Sequence, residues 1–412
     1  MVQLRLLRLA QVAWFYAYVH GAAVRWVFDD SVALLDCPIL FDSRTNETNT
    51  HSYDRDGNCK HSSTQKWHAI LKSPYGADIP SSVLTGSPEL DGKIIFIVGD
   101  SLAYGQFVDL LCSLHARRHN VVMVNKNRQD PNLIGVHVAE VQAANGTTFW
   151  VVFNSFGNLR SGGHEIGRYA TGSVAKIKAH IASSKSAYRG TTPSGAIVQL
   201  SSVKAHSLSG HGYRGFADGG VAAYFKDLLV FKEYYGKLVD AELFYYRPAF
   251  ATHFATSNAG YIPDSHAAQL PCTRIDSSVN LTNQKIFFMQ EESQLERRSK
   301  DVRFAVIPNV WDMSVDMWYM HPSLTHAVTD TEKSISDCLH FCNLGNAYHG
   351  MYEAVNRWFW WDMLGKLKQK DQAEGPTQTG LESEPGPQLK PTRDIGGARC
   401  PPRVARLASD SP

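Results

Sequence analysis

The segment "IIFIVGDSLAYGQFVDLLCSL", Ile94 to Leu114, restricts the fold more than any other stretch of this chain. Its apolar run of six, Ile94 to Gly99, stops at Asp100-Ser101, and a helical pattern begins at once. A continuous apolar run is what a strand covered on both faces requires. The rest of the body repeats the alternation. Strands are predicted at 93–99, 119–125, 147–154, 195–200, 241–247 and 303–310, and helices at 102–118, 172–185, 220–240 and 350–369. Within 220–240, Ala223, Phe225, Leu228, Leu229, Phe231 and Leu238 recur at helical spacing. This order predicts an α/β sandwich with a mostly parallel sheet. Ligands bind such sheets beyond the carboxyl ends of the strands. Ser101 follows one predicted strand end, and Asn154 ends another.

The 412 residues, 43% hydrophobic, can build one large core or two ordinary ones. A net charge of +2, mixed signs and the lack of a basic stripe with interleaved aromatics argue against a nucleic-acid partner. The first residues run from Arg5 and Arg8 through an apolar stretch to Gly21-Ala22-Ala23, the order of a secretory signal. Gln11 and His20 interrupt the stretch, leaving less than the roughly 20 residues that span a bilayer. Residues 1–25 are therefore expected to be a cleaved signal or a short anchor, through which any membrane attachment would run. A buried amphipathic helix is the alternative. Residues 369–412 are rich in Pro, Gly and charge and have no aromatics, so they are expected to be disordered. That leaves 26–368 as the folded domain.

None of the seven cysteines has the C-x-x-C spacing of a zinc site, and Cys338 and Cys342 lack a second ligand pair. Disulfides are expected instead, and no metal. Sequons at Asn46, Asn145 and Asn280 agree with a secretory route. His164, His206 and His211 sit among Gly and Ser with no carboxylate or Cys spacing that would make them ligands.

A serine hydroxyl becomes a nucleophile only beside a base whose tautomer is held by a third group. A strand, Gly99-Asp100-Ser101 and a helix place a serine well, because the helix start offers free N–H groups to a developing oxyanion. The same residues also suit a turn in which Ser101 is only a helix cap. At the far end of the domain, "DCLHFC" sets Asp337 three residues before His340. In a turn, that Asp can hold Nδ1–H and leave Nε2 free to take a serine proton. The alternative is a disulfide-tethered surface loop with an incidental histidine.

These blocks resemble a known family. Gly99-Asp100-Ser101-Leu102, with Gln106 and Leu110-Leu111-Cys112, resembles the first block of the plant trichome-birefringence-like proteins, PC-esterases within the SGNH/GDSL superfamily. "DCLHFC" resembles their terminal Asp-Cys-x-His-Trp-Cys block. Between them, "WVVFN" (150–154), "FYYRPAFATHF" (244–254) with Pro271-Cys272, and "IPNVWDMSVDMWYMHPSL" (307–324) resemble family segments in the family's order. The resemblance implies an SGNH-hydrolase-like three-layer sandwich in the Golgi or secretory lumen. It also implies O-acetylation of a polysaccharide or glycan acceptor through an acetyl-serine. No bound cofactor is implied, only an acetyl donor as co-substrate, acetyl-CoA being one such donor. Carried over by position, the catalytic residues are Ser101, Asp337 and His340, and His253 and His321 match positions that shape the pocket; a mechanism on that triad expects the oxyanion or substrate beside Gly99, Asp100 and the Asn154 amide. Water in the second half-reaction would make the same site a carbohydrate esterase, and loss of catalysis would leave a glycan-binding relative.

The sequence departs from that family at Ala103-Tyr104-Gly105, where Ser-Arg-Asn is usual, and at Phe341, where Trp is usual. A phenol at 104 has neither the charge nor the fork geometry of an arginine. Trp311, Trp318 and Tyr319 can stack on sugars or fill the core, and "RWFWWDM" (357–363) reads as a buried helix face.

Overall fold

The computed structural model describes residues 24–28, 67–124, 136–155, 162–183, 193–202, 220–255, 270–275, 295, 304–321, 325–326, 334–335, 338–339, 341 and 350–373. Seven strands form one mixed sheet: β3 (Lys93–Gly99), β4 (Asn120–Met123), β5 (Val136–Gln142), β6 (Thr148–Ser155), β7 (Gly195–Ser201), β8 (Ala241–Arg247) and β9 (Ala305–Val306). Their order is β4-β5-β6-β3-β7-β8-β9. The run β6-β3-β7-β8-β9 is parallel, while β4 and β5 are antiparallel to their neighbours. The mostly parallel α/β sheet expected from the sequence is present.

The helices are α1 (Ser101–Ala116), α2 (Gly162–Ser183), α3 (Gly220–Val239), α4 (Val310–Val315) and α5 (Met351–Ala373). The central strand explains why a continuous apolar run was needed. All six residues after Lys93 in β3 are buried. Ile95 and Ile97 enter one apolar cluster with α1 and α5, whereas Ile94, Phe96 and Val98 enter another with α2 and α3. Two smaller pairs stand apart: β1 (Val24–Phe28) with β2 (Trp67–Leu71), and β10 (Thr325–His326) with β11 (Ser334–Ile335), both antiparallel. The Trp26 indole donates to the Met313 carbonyl at 3.0 Å, tying β1 to α4. Strand β1 includes Val24 and Arg25, the last two residues of the expected 1–25 segment; the rest of that segment lies outside the described residues, as does the tail beyond Ala373. The chain divides into two units after Gln369. Among the described residues no helix is long and apolar enough to cross a membrane.

Strands β1, β2, β10 and β11 and helix α4 were not predicted, and three further elements differ from the sequence expectation. The apolar run 303–310 yields only the two residues of β9, because Asn309 turns into the left-handed region (φ 57°) and α4 starts at Val310. Helix α2 starts at Gly162, ten residues before the predicted start, through a glycine-rich stretch that reads as loop. Strand β5 was not predicted. Its sequence, VHVAEVQ, carries His137 and Glu140, and the Asn145-Gly146 turn joins it to β6. Gly146 has φ +89°, and the Asn145 side chain accepts from the Thr147 N–H at 3.1 Å. The Asn145 sequon thus occupies an exposed hairpin tip; those at Asn46 and Asn280 lie outside the described residues.

Candidate active site

Strand β3 delivers Gly99, Asp100 and Ser101 to the carboxyl edge of the sheet, between the ends of β6 and β7. Gly99 is required by close approach. A Cβ there would stand 2.8 Å from Ala103 Cβ and 2.9 Å from Ser201 Cβ. The cap of α1 is Asp100, whose Oδ1 accepts from the Leu102 N–H at 3.0 Å. Its Oδ2 is buried without a hydrogen-bond partner among the described residues. Ser101 is therefore not the cap. It is the first residue of a 16-residue helix and is half-buried.

The altered triplet after it is a packing solution. Ala103 is fully buried against Gly99, and Gly105 admits Tyr352 of α5, whose ring carbon Cζ would stand 2.8 Å from any Cβ at that position. Tyr104 joins the rings of Phe107, His137 and Phe153, at 6.2, 5.1 and 5.2 Å.

A buried polar network continues from α1 across the edge. Gln106 and Gln199 exchange amide hydrogen bonds of 2.9 and 2.8 Å, and Gln106 also donates to Asn356 at 3.0 Å. Asn356 donates in turn to Asp109 at 3.0 Å. Burial, reinforced by the nearby Glu353 carboxylate, holds the Asp109 carboxyl well above the usual range. On β8, Arg247 is fully buried; it donates to Ser201 Oγ and the Pro248 carbonyl, each at 3.2 Å, and its guanidinium lies 4.4 Å from the Phe250 ring.

Asn154 reaches the same edge, opposite Val98 in the register, but on the other face of the sheet from Phe153 and α1. Its amide donates to Tyr235 Oη on α3 at 3.0 Å, and its Oδ1 has no hydrogen-bond partner among the described residues. One amide hydrogen is thus committed away from any oxyanion on Ser101. Burial pushes the Tyr235 phenol well above its ordinary pKa, so it stays a neutral partner.

Asp337 and His340 lie outside the described residues, but residues beside them do not. Cys338 is cross-linked to Cys272, 66 residues away, rather than serving a local staple. Its carbonyl accepts from the His253 N–H at 3.0 Å. Phe341 stacks on His321 at 4.3 Å and meets Phe250 at 5.3 Å and Tyr352 at 6.1 Å. Cys338, Leu339 and Phe341 share an apolar cluster with Leu102 and Ala103 of α1. The segment that carries His340 is thereby pinned on both sides of it to the body that positions Ser101.

His253 and His321 make a pair that sequence reasoning placed only loosely in a pocket. Their rings are buried and bonded Nδ1 to Nε2 at 2.7 Å, and His253 Nε2 meets the Val315 carbonyl at 2.9 Å. A carbonyl only accepts, so His253 carries its proton on Nε2. In that tautomer His253 accepts at Nδ1 from the Nε2–H of His321. The pair grips the segment at Cys338 through the His253 backbone and at Phe341 through the His321 ring.

Among the described residues no group of His, Cys, Asp and Glu could hold a metal ion. His206 and His211 lie outside them, and nothing is placed for the His164 side chain. Trp311 is buried with α3, Trp318 is exposed, and Trp358, Phe359, Trp360 and Met363 form a buried helix face, as the sequence suggested. No family model, curated protein or solved structure matches this chain.

Proposed function

We propose that Ser101 is the nucleophile of an acyl-transfer site in an SGNH-type three-layer domain, with His340 as base and Asp337 as its orienter. One observation carries this reading. Ser101 opens α1 at the carboxyl end of the central parallel strand, and Leu339 and Phe341, which flank His340, belong to the same apolar cluster as Leu102 and Ala103 at the start of that helix. A serine there stands at a helix start, a place whose N–H groups suit a tetrahedral oxyanion, and one of these groups, on Leu102, is engaged by the Asp100 carboxylate. His340 removes the Ser101 proton, Ser101 attacks the acetyl carbonyl of a donor, and the leaving group takes the proton from the imidazolium. A glycan hydroxyl, deprotonated by His340, then attacks the acetyl-serine and regenerates Ser101. Water in that step gives the esterase outcome. The Cys272–Cys338 disulfide and the exposed Asn145 sequon support a secretory, Golgi-type compartment.

The test is active-serine labelling of the full chain with a fluorophosphonate, followed by incubation with an acetyl donor and a panel of deacetylated glycans. Ser101→Ala is expected to abolish labelling and lower turnover by about a thousandfold or more. A folded wild type that takes no label would remove the enzyme reading. Hydrolysis of aryl acetate without acetyl gain on any glycan would replace transferase by esterase.

A further inference from the structure

Tyr104 stands one helical turn after Ser101, so the two side chains are neighbours on one face of α1. A long helical side chain leans back over the preceding turn, which carries the Tyr104 ring toward the carboxyl edge of the sheet. Three rings meet it there: His137, Phe153 and Phe107, which lie 5.9 to 6.3 Å from one another. His137 is on β5, directly across from Phe153 on β6, one residue before Asn154. Phe107 and Phe153 are 1% and 4% exposed, whereas Tyr104 and His137 are half-buried. Two buried rings therefore form a rigid base, and two partly open rings lie on it beside the nucleophile.

The carboxyl edge thus has two unlike flanks. On the β7-β8 side stand Ser201 and the buried guanidinium of Arg247, engaged by Ser201, Pro248 and Phe250. On the β6-β5 side stand the four rings, which carry no fixed charge themselves. Rigid half-open aromatic faces take up the C–H face of a sugar ring with little loss of side-chain freedom. A uronate carboxylate pressed against those rings would give up water to surfaces that carry no fixed cation.

We propose that Tyr104 and His137 form the acceptor subsite, holding the apolar face of a neutral sugar ring so that one of its hydroxyls stands beside Ser101. This rests on the reading of Ser101 as nucleophile. In the step it serves, the sugar oxygen forms a bond to the acetyl carbon and the Ser101 ester bond breaks. The hydroxyl proton passes through His340 to Ser101 Oγ.

The test uses the full chain carrying Ser101→Ala, so that binding is read apart from turnover. Xylohexaose, mannohexaose, cellohexaose and hexagalacturonate are titrated calorimetrically. At least one neutral hexasaccharide should bind. Adding Tyr104→Ala should weaken it about tenfold, Tyr104→Phe by less than about threefold, and His137→Ala should weaken it too. Thermal unfolding checks each fold, and Tyr104→Leu replaces Tyr104→Ala should the latter not fold. The proposal is overturned if no neutral sugar binds, if removing either ring leaves affinity unchanged, or if hexagalacturonate binds most tightly. Ring-dependent sugar binding without fluorophosphonate labelling would sink the nucleophile and keep the sugar site; labelling without sugar binding would do the reverse.

Discussion

The two ends of the central strands β3, β7 and β8 handle polar groups in opposite ways. At the amino end they are paired and close to the surface. Lys93 Nζ bonds the Glu242 carboxylate and the Ser194 carbonyl, Asp91 accepts from the Thr148 N–H at 2.9 Å, and Ser194 Oγ donates to the Asp91 carbonyl at 3.0 Å. At the carboxyl end they are buried and incompletely satisfied. Asp100 Oδ2 and, on neighbouring β6, Asn154 Oδ1 have no hydrogen-bond partner among the described residues, and an arginine is fully buried. Each such orphan atom costs about 1–3 kcal/mol. The carboxyl end thus gives up stability where Ser101 stands, which agrees with the site proposed there.

Unpinning the carboxyl end should have the largest effect on stability. Replacing Cys272 and Cys338 by Ala removes a cross-link over 66 residues, worth about 4 kcal/mol in the chain-entropy model. The urea midpoint should fall, and labelling of Ser101 should weaken even where the protein remains folded. Full labelling at native stability would break the contrast between the ends. Next comes Gly99→Ala, whose Cβ meets Ala103 and Ser201. It should cost about 1–3 kcal/mol by overpacking and shift Ser101, read as slower labelling in the folded protein. The smallest effect is expected at the amino end. Lys93→Met with Glu242→Gln removes the ion pair there, should change stability by about 1 kcal/mol or less, and should leave labelling untouched. A labelling defect in that variant would show that the two ends are coupled.

Elements with a clear apolar pattern were legible in the sequence. Strands β3 and β8 and helix α3 fall within a residue of their predicted bounds: β3 is a continuous buried run, and α3 buries Leu228, Phe231 and Tyr235 along one face. Strand β5 was hidden because His137 and Glu140 dilute its pattern, and the start of α2 because Gly162, Gly163 and Gly167 have low helix propensity. At the site, the strand end, the turn and the helix start were readable locally. The Gln106–Gln199 amide exchange, the His253–His321 pair and the Tyr104–His137 contact were not. Each joins residues 33 to 93 positions apart, and the pairing depends on register and packing that no local spacing encodes. The cap assignment shifted by one residue, from Ser101 to Asp100, because either side chain can accept from a helix N–H.

Helix α5 carries a consequence for biosynthesis. Asn356 closes the polar network on Gln106 across 250 residues, and Tyr352 fills the gap left at Gly105. A chain leaving the ribosome completes α1 long before its packing partner exists. Until the 250 residues between Gln106 and Asn356 have been translated, the apolar flank of α1 has no α5 to cover it, so the nascent chain is open to aggregation over that interval.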